Sequence, residues 1–286
     1  MRLFRRTPSV PVLRLTGAIG MATPLRPGLS MATAAGPIEK AFNASKLPAV
    51  AIVINSPGGS PVQSHLIFQR IRQLSAETGK RVYVFCEDVA ASGGYFLALA
   101  GDEIYADPSS IVGSIGVISS SFGFDKAIER LGIERRVYTA GLNKGSLDPF
   151  LPERPDDVVR LKALQRDVHD VFIGIVKDRR LRKLKGADDE IFSGAFWSAS
   201  KALDLGLIDG IGDVRSKMRA IFGAKVRLHA IPMGRGGLLS RLRPGPSSTI
   251  DSLIPQFGAC GAVTATLAED IVSTLEARAL WSRFGL

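Results

Sequence analysis

The sequence predicts an α/β fold with largely parallel strands, and three observations predict it. Ala49–Ile54 (AVAIVI) and Arg81–Cys86 (RVYVFC) are dominated by continuous apolar runs, the pattern of strands covered on both faces. Each run is followed by a Gly-rich turn, Asn55–Ser60 after the first and Ala90–Gly94 after the second. Each turn opens a helical segment: Ile67, Ile71 and Leu74 recur at helical spacing after the first, and Ala91–Ala100 is a small-residue helix after the second. Strand alternating with helix in this way is the sequence mark of an α/β domain, whose functional groups collect at the carboxyl ends of its strands. Both Gly-rich turns stand at such ends. A chain of 286 residues, 45% hydrophobic and 22% charged, can bury a core of useful size.

In chain order, Val10–Leu15 reads as a short strand closed by Thr16-Gly17. Met21–Gly36 is rich in Pro, Ala and Gly and reads as loop, and Pro37–Ala44 suits one helix of about two turns. The strand at Ala49–Ile54 is followed by a helix through about Glu77, a strand over Arg81–Cys86, the helix beginning at Ser92, and a strand at Glu103–Ala106. Pro155–Lys185 carries a long amphipathic helix with Val158, Leu161, Leu164, Val168, Val171, Phe172, Ile175 and Val176 at spacings of three and four. Leu203–Gly212 reads as a helix end, a turn and a short strand. The pattern fades after Val226, and Gly234–Ser248 has a linker composition. Thr264–Phe284 suits one amphipathic helix, with Leu267, Ile271, Leu275 and Leu280 on one face, that could pack on the body, a partner or a membrane surface. The organisation expected is one domain over 1–225 and a basic linker with a C-terminal helix over 226–286.

Composition narrows the function. The net charge of +10 gathers in Arg2, Arg5 and Arg6, in the run Arg179–Lys185, and in Arg235, Arg241 and Arg243. Runs of like charge are usually solvated faces. No zinc-finger, RNP or P-loop spacing supports nucleic-acid binding, so no nucleic-acid partner is expected. Cys86 and Cys260 give neither a disulfide framework nor a metal signature, and no metal or cofactor is expected. Pro8, Pro11 and Arg14 interrupt the apolar stretch a signal peptide would need, and no transmembrane helix is read. The expectation is a cytoplasmic protein, with peripheral contact to the inner membrane as a further option.

The chemistry gathers at Ser92. A serine among small residues on a strand-to-helix turn can expose its oxygen, but it needs a base to take its proton. The three histidines, His65, His169 and His229, lie outside Gly-rich or turn-like contexts, whereas Lys144 sits in the polar loop Gly141–Ser146. A Ser–Lys dyad is a recognised variant of triad chemistry. The glycines of Asn55–Ser60 let backbone amides approach a ligand, as an oxyanion hole requires. The same turn also suits a plain connection with Ser56 or Ser60 as helix N-cap, and Ser92 could likewise be only an N-cap.

Five ordered segments resolve this: RLTGAI at 14–19, INSPGGS at 54–60, ASGGYF at 91–96, VGSIGVI at 112–118 and FSGAFWSASKALDLGLIDGIG at 192–212. Together they resemble the signal peptide peptidase A family of serine peptidases, the S49 class, over about residues 9–215, in a short form without the N-terminal membrane anchor that members usually carry. The resemblance implies a ClpP/crotonase-like fold and a serine endopeptidase. It assigns Ser92 as nucleophile, Lys144 as general base, Gly58 and Gly59 with Gly93 to the oxyanion hole, and Ser114 to a hydrogen bond that orients the lysine. It further implies peptide or unfolded-protein substrates, remnant signal peptides among them, and a homo-oligomer in which the site can be shared between subunits. A base lysine must be neutral, and burial favours that form; Val137–Tyr138 and Phe150–Leu151 could supply apolar surroundings, whereas Asp148 would oppose it by facing inward. Three alternatives remain: a ClpP-like Ser–His–Asp peptidase, a crotonase-like acyl-CoA enzyme, and a non-catalytic scaffold on the same fold.

Overall fold

Strand β1 (Ser9–Thr16), helix α1 (Met31–Asn43) and strand β2 (Ala49–Ser56) open the chain, and β2 buries every residue except Asn55. Side chains alternate across a strand, so Val50, Ile52 and Ile54 enter one core cluster while Ala49, Ala51 and Val53 enter the other. The computed structural model describes residues 8–21, 28–233 and, near the C-terminus, 275, 278, 279, 281 and 282. The linker and most of the C-terminal helix expected from the sequence therefore lie outside the described residues.

Helix α2 (Pro61–Thr78), strand β3 (Arg81–Ala91), helix α3 (Gly93–Ala98), strand β4 (Glu103–Ala106) and strand β5 (Ile111–Gly113) follow. Then come helices α4 (Asp125–Arg130), α5 (Pro155–Arg180) and α6 (Asp188–Ile191), strand β6 (Phe196–Ser198), helix α7 (Ala199–Asp204), strand β7 (Gly210–Ile211), helix α8 (Val214–Phe222) and strand β8 (Arg227–Ile231). The eight-stranded sheet runs β6-β5-β3-β2-β1-β8, with β4 pairing β3 and β7. Every pair is parallel except β5 with β6. The mixed α/β architecture with mainly parallel strands is the one the sequence predicts. The larger core cluster packs Leu13, Leu15, Ile52 and Val84 against Ile38 and Phe42 of α1, Ile67 and Ile71 of α2, and Phe172 and Val176 of α5. The opposite cluster packs Val10, Val53, Tyr83, Phe85 and Tyr105 under Met218 of α8.

Three local expectations are corrected. Helix α1 begins at Met31, not at Pro37, because Ser30 and Thr33 form a capping box; Pro37 sits inside the helix at the cost of one backbone bond. Strand β3 continues past Cys86 to Ala91: Glu87 and Asp88 break the apolar run only because they turn outward, Glu87 to Arg14 and Asp88 to Asn55. At this point β3 exchanges β4 (Tyr83–Cys86) for β5 (Val89–Ala91), and the register with β2 shifts between Ile54 and Ser56. Strand β8 forms where the pattern faded; it is an edge strand, its burial is low, and its alternation is correspondingly weak. In α5, of the eight apolar positions only Phe172 and Val176 are buried. The N-terminal half of this helix belongs to an exposed excursion in which no residue from Ile118 to Asp156 is buried.

Candidate active site

The change of partner along β3 places Ser92 where the sheet divides. Its amide donates to Gly113 O at 2.8 Å, continuing the β3–β5 ladder by one residue. Its backbone is then bent to φ 52°, ψ −122°, a left-handed conformation that a non-glycine residue rarely holds. Ser92 occupies the N-cap position of α3, yet its side chain makes no capping bond. Among the described residues Oγ has no hydrogen-bond partner. An N-cap serine normally uses its oxygen on the helix amides, so the purely structural reading of Ser92 fails on the one feature it requires.

The first Gly-rich turn lies against the second. A Cβ on Gly58 would stand 2.8 Å from Ser92 Cβ and 2.9 Å from Gly93 N, and one on Gly94 would stand 2.2 Å from Ser56 O. Only bare backbone permits this approach. Ile19 N donates to Gly58 O and Ser60 N donates to Ile19 O, both at 2.8 Å, so the neighbours of the bridged Gly59 make these bonds and its own amide has no hydrogen-bond partner among the described residues. Gly93 is the first residue of α3, where an amide has no partner in the helix. Ser60 caps α2 through Gln63 N, and Ser56 Oγ donates to Gly17 O at 2.7 Å, so the turn is both a connection and a rigid cradle.

Ser92, Gly59 and Gly93 share a cavity of about 240 Å³ with Pro61, Val62, His65, Leu66, Phe96, Gly116, Val117, Val168, Val171 and Phe172. Its walls are largely apolar. Phe96 stacks obliquely on Phe172 with centroids 4.9 Å apart, and His65 meets Phe96 edge-on at 5.7 Å. Sequence reasoning missed this pocket. His65, Val62 and Leu66 lie one turn into the helix that follows the first Gly-rich turn, and that proximity is the signal that could have found them.

Ser114 is 5% exposed, stands at φ 53°, and its amide donates to Ala195 O at 2.7 Å. Its hydroxyl has no partner among the described residues. Buried polar groups are nearly always satisfied, so an orphaned hydroxyl beside a candidate site asks for a ligand.

Lys144 does not line the cavity, has no hydrogen bond to Ser92 among the described residues, and its side chain is exposed in the single chain. The apolar shelter expected from its flanks is missing: Val137 and Leu151 are exposed and Tyr138 is 91% exposed. Asp148 does not oppose the lysine either, because it pairs with Arg135 at 2.7 Å. A backbone bond from Phe150 and then this arginine hold its carboxyl below the usual range. His169 is a helix-face residue whose Nε2 lies 3.0 Å from Ile115 O, and His65 has no hydrogen bond to Ser92 or to a carboxylate among the described residues. No cluster of potential metal ligands occurs among the described residues.

The comparisons with known proteins now bear on this geometry. A profile described as peptidase family S49 matches residues 75–222, a span that includes Ser92, Ser114 and Lys144. The chain is 34% identical over 177 residues to "Protease 4" of Haemophilus influenzae, covering 61% of this chain and 28% of that protein. It is 29% identical over 266 residues to "Serine protease SPPA, chloroplastic" of Arabidopsis thaliana, covering 86% and 38%. It is also 54% identical over 287 residues to "Na(+)/H(+) antiporter NhaA" of Brucella abortus (strain 2308), covering 100% of this chain and 38% of that protein. The chain thus spans less than two fifths of the length of each of these relatives. The chain covers 38% of that protein, so the activity in its name is not carried to this chain; no described helix is long and apolar enough to cross a membrane. The profile match, the protease relatives and the mainly parallel α/β sheet agree: the chain belongs to peptidase family S49, whose members are serine-type peptidases of ClpP/crotonase-like fold.

Proposed function

We propose that this chain is a serine endopeptidase that works through an acyl-enzyme on Ser92. The observation that carries this reading is the Ser92 backbone, held at φ 52° with its oxygen unused and two unengaged amides beside it. In the proposed reaction a neutral Lys144 takes the proton from Oγ as that oxygen attacks the scissile carbonyl. The amides of Gly59 and Gly93 hold the oxyanion, with Gly58 supplying the close backbone approach. The lysine ammonium then protonates the leaving amine. Water, losing its proton to the same amine, attacks the acyl carbonyl, and the ammonium returns that proton to Ser92 Oγ as the acid leaves. The orphaned Ser114 hydroxyl accepts from the lysine and aims it.

Lys144 reaches this position from a neighbouring copy. The excursion that bears it exposes Phe122, Leu131, Tyr138 and Leu142 at 72–95%, which suits a segment that packs on another subunit. Such packing would also supply the burial the lysine lacks in one chain. The apolar cavity beside Ser92 suits an apolar substrate side chain, as remnant signal peptides provide. The test is labelling by a fluorophosphonate together with hydrolysis of peptides bearing Leu or Phe before the scissile bond. Labelling and hydrolysis that both vanish in Ser92→Ala are expected. A folded wild-type protein that neither labels nor hydrolyses would leave the scaffold reading in place.

A further inference from the structure

Between Ile115 and Phe172 a single residue is buried, and it is a carboxylate: Asp157, 3% exposed. A lone buried acid in an otherwise exposed excursion requires a cause, because carboxylates are rarely buried unless they are paired. Its partners fall in two groups. On the helix side, Arg154 Nε and Nη2 donate to it at 2.9 Å each, and Arg160 Nη2 donates at 2.5 Å. On the loop side, Ser146 Oγ donates at 3.1 Å and the Leu147 amide at 3.4 Å. Ser146 and Leu147 stand directly beyond the Lys144-Gly145 dipeptide.

A capping role alone does not account for this. Asp157 lies in the first turn of α5, where a carboxylate favours the helix dipole. Yet its oxygens take no bond from the amides of that turn; they go to two arginines and to the lysine loop. Leu147 is held at φ 58°, left-handed for a non-glycine residue, and it is the amide of this strained residue that Asp157 receives. Arg154 also reaches Ser146 Oγ at 3.5 Å, so the loop is gripped from both ends of the ion pair. The two guanidiniums, Arg154 foremost, hold the Asp157 carboxyl well below the usual range, and the grip persists at any working pH.

We propose that Asp157, with Arg154 and Arg160, is a positioning residue for Lys144: it fixes the 145–147 turn against the start of α5 and so sets the direction from which the lysine amine enters the serine site. The proposal rests on the reading of Lys144 as the base. It adds that the rigid unit presented to the neighbouring copy is the loop and the helix together, because the loop alone has no core to hold it.

The experiment is a double-mutant cycle on full-length protein, reading single-turnover acylation by an activated ester so that slow variants remain measurable. Asp157→Asn keeps the shape and removes the charge; a fall of about tenfold in the acylation rate, with KM unchanged, is expected. In a Lys144→Ala background the same substitution should change nothing, since it acts only through the lysine. Ser146→Ala, which removes one loop-side bond and leaves the arginine pairs intact, should cost about threefold with the same dependence on Lys144. Losses that multiply in the two backgrounds would overturn the positioning role and make Asp157 merely structural. A Lys144→Ala protein with wild-type acylation would instead defeat the base assignment, and the proposal with it. The two failures are distinguishable, because the Lys144→Ala single variant alone tests the base and the double mutant tests the positioning.

Discussion

From Val89 to Ala106 all residues but Ser92, Asp102 and Glu103 are buried, whereas from Ile118 to Asp156 none is. The first stretch surrounds the serine and the second surrounds the lysine. The serine's surroundings are complete in one chain: two core clusters, two interlocked turns and an apolar pocket. The excursion has instead a short helix, α4, a stack of Phe124 on Phe150 at 5.5 Å, and the Asp157 grip. A segment with apolar residues on its surface and almost no interior of its own is organised for a surface it does not carry. On the proposed reading the difference separates two problems: the body would hold the strained nucleophile, and the excursion would deliver the base.

The sharpest way to break this comparison is to separate the two groups. Ser92→Ala and Lys144→Ala should each lose activity by at least about 10³-fold. Dissociated and reassembled together in equal amounts, they should recover roughly a quarter of wild-type activity, because that share of sites draws both groups from intact halves. No recovery in mixed oligomers verified by mass would place the dyad within one protomer and remove the excursion's special role.

A second prediction concerns stability. The Arg180 side chain is 2% exposed and donates to Asp209 at 2.8 and 3.2 Å, while Lys183 adds a bond at 2.7 Å and the Ile104 amide one at 2.8 Å. Asp209→Asn leaves a buried guanidinium unpaired and should cost about 3–5 kcal/mol in denaturant unfolding. Burial pushes the Asp209 carboxyl up, but the bonds from Arg180 and Lys183 outweigh it and the net shift is downward. A group lowered in the folded state stabilises above the unfolded carboxylate pKa, and that stability is lost as pH falls through the folded value. The gap between wild type and variant should therefore be full at pH 7 and narrow toward pH 3. Glu134→Gln, which breaks an exposed pair with Arg136 in the excursion, should leave the unfolding midpoint unchanged.

The two regions also respond differently to a methyl group. Gly59 holds φ +139°, and an added Cβ would lie 2.1 Å from Ile19 O, a backbone atom that cannot step aside. Gly59→Ala should lower kcat by about 10²- to 10³-fold, the cost of displacing an oxyanion donor. Gly123→Ala in the excursion meets only Asp125 Oδ1 at 3.7 Å and should be silent. Equal effects in steady-state kinetics would mean that the Gly59 turn tolerates movement and is not the cradle inferred here.

What the sequence disclosed follows the same division. Period and apolar runs announce elements with two buried faces, so β2, the first part of β3, α2 and the turn at Ser92 were legible. Elements whose packing is one-sided were less so: β8 alternates weakly at the sheet edge, and α5, legible as an amphipathic helix, leaves Leu164 and Val171 of its apolar stripe exposed. Periodicity reports that a face is apolar; it does not report whether this chain or another covers it. Ser92 and Lys144 were legible as residue types in turn-like settings, and the family resemblance paired them. That Lys144 would lie outside the Ser92 cavity in the single chain was not legible, because sequence spacing does not report which residues line a cavity. Asp157 was invisible for a related reason: one acid in the run Pro155-Asp156-Asp157 reads as a helix start, and only its partners reveal the grip.

The smallest effect tests the serine side of the comparison alone. His65 lies in the same cavity as Ser92, with its ring edge-on to Phe96 at 5.7 Å and stacked near Phe68 at 6.4 Å. If the body only positions the nucleophile and shapes the pocket, this histidine is a wall. Trimming a wall enlarges the space for the substrate side chain while leaving proton transfer untouched. His65→Ala should then shift kcat/KM by about fivefold in favour of Phe over Ala before the scissile bond, about 1 kcal/mol of discrimination. The rate of Ser92 labelling by a fluorophosphonate should stay within about twofold, because the probe needs the activated serine and not the pocket. If labelling instead collapses as it does in Ser92→Ala, His65 takes the serine proton, the body holds its own base, and the excursion is relieved of the chemistry assigned to it. A specificity change without a labelling change keeps the division as described, with His65 tuning which side chain enters and Lys144 arriving from outside.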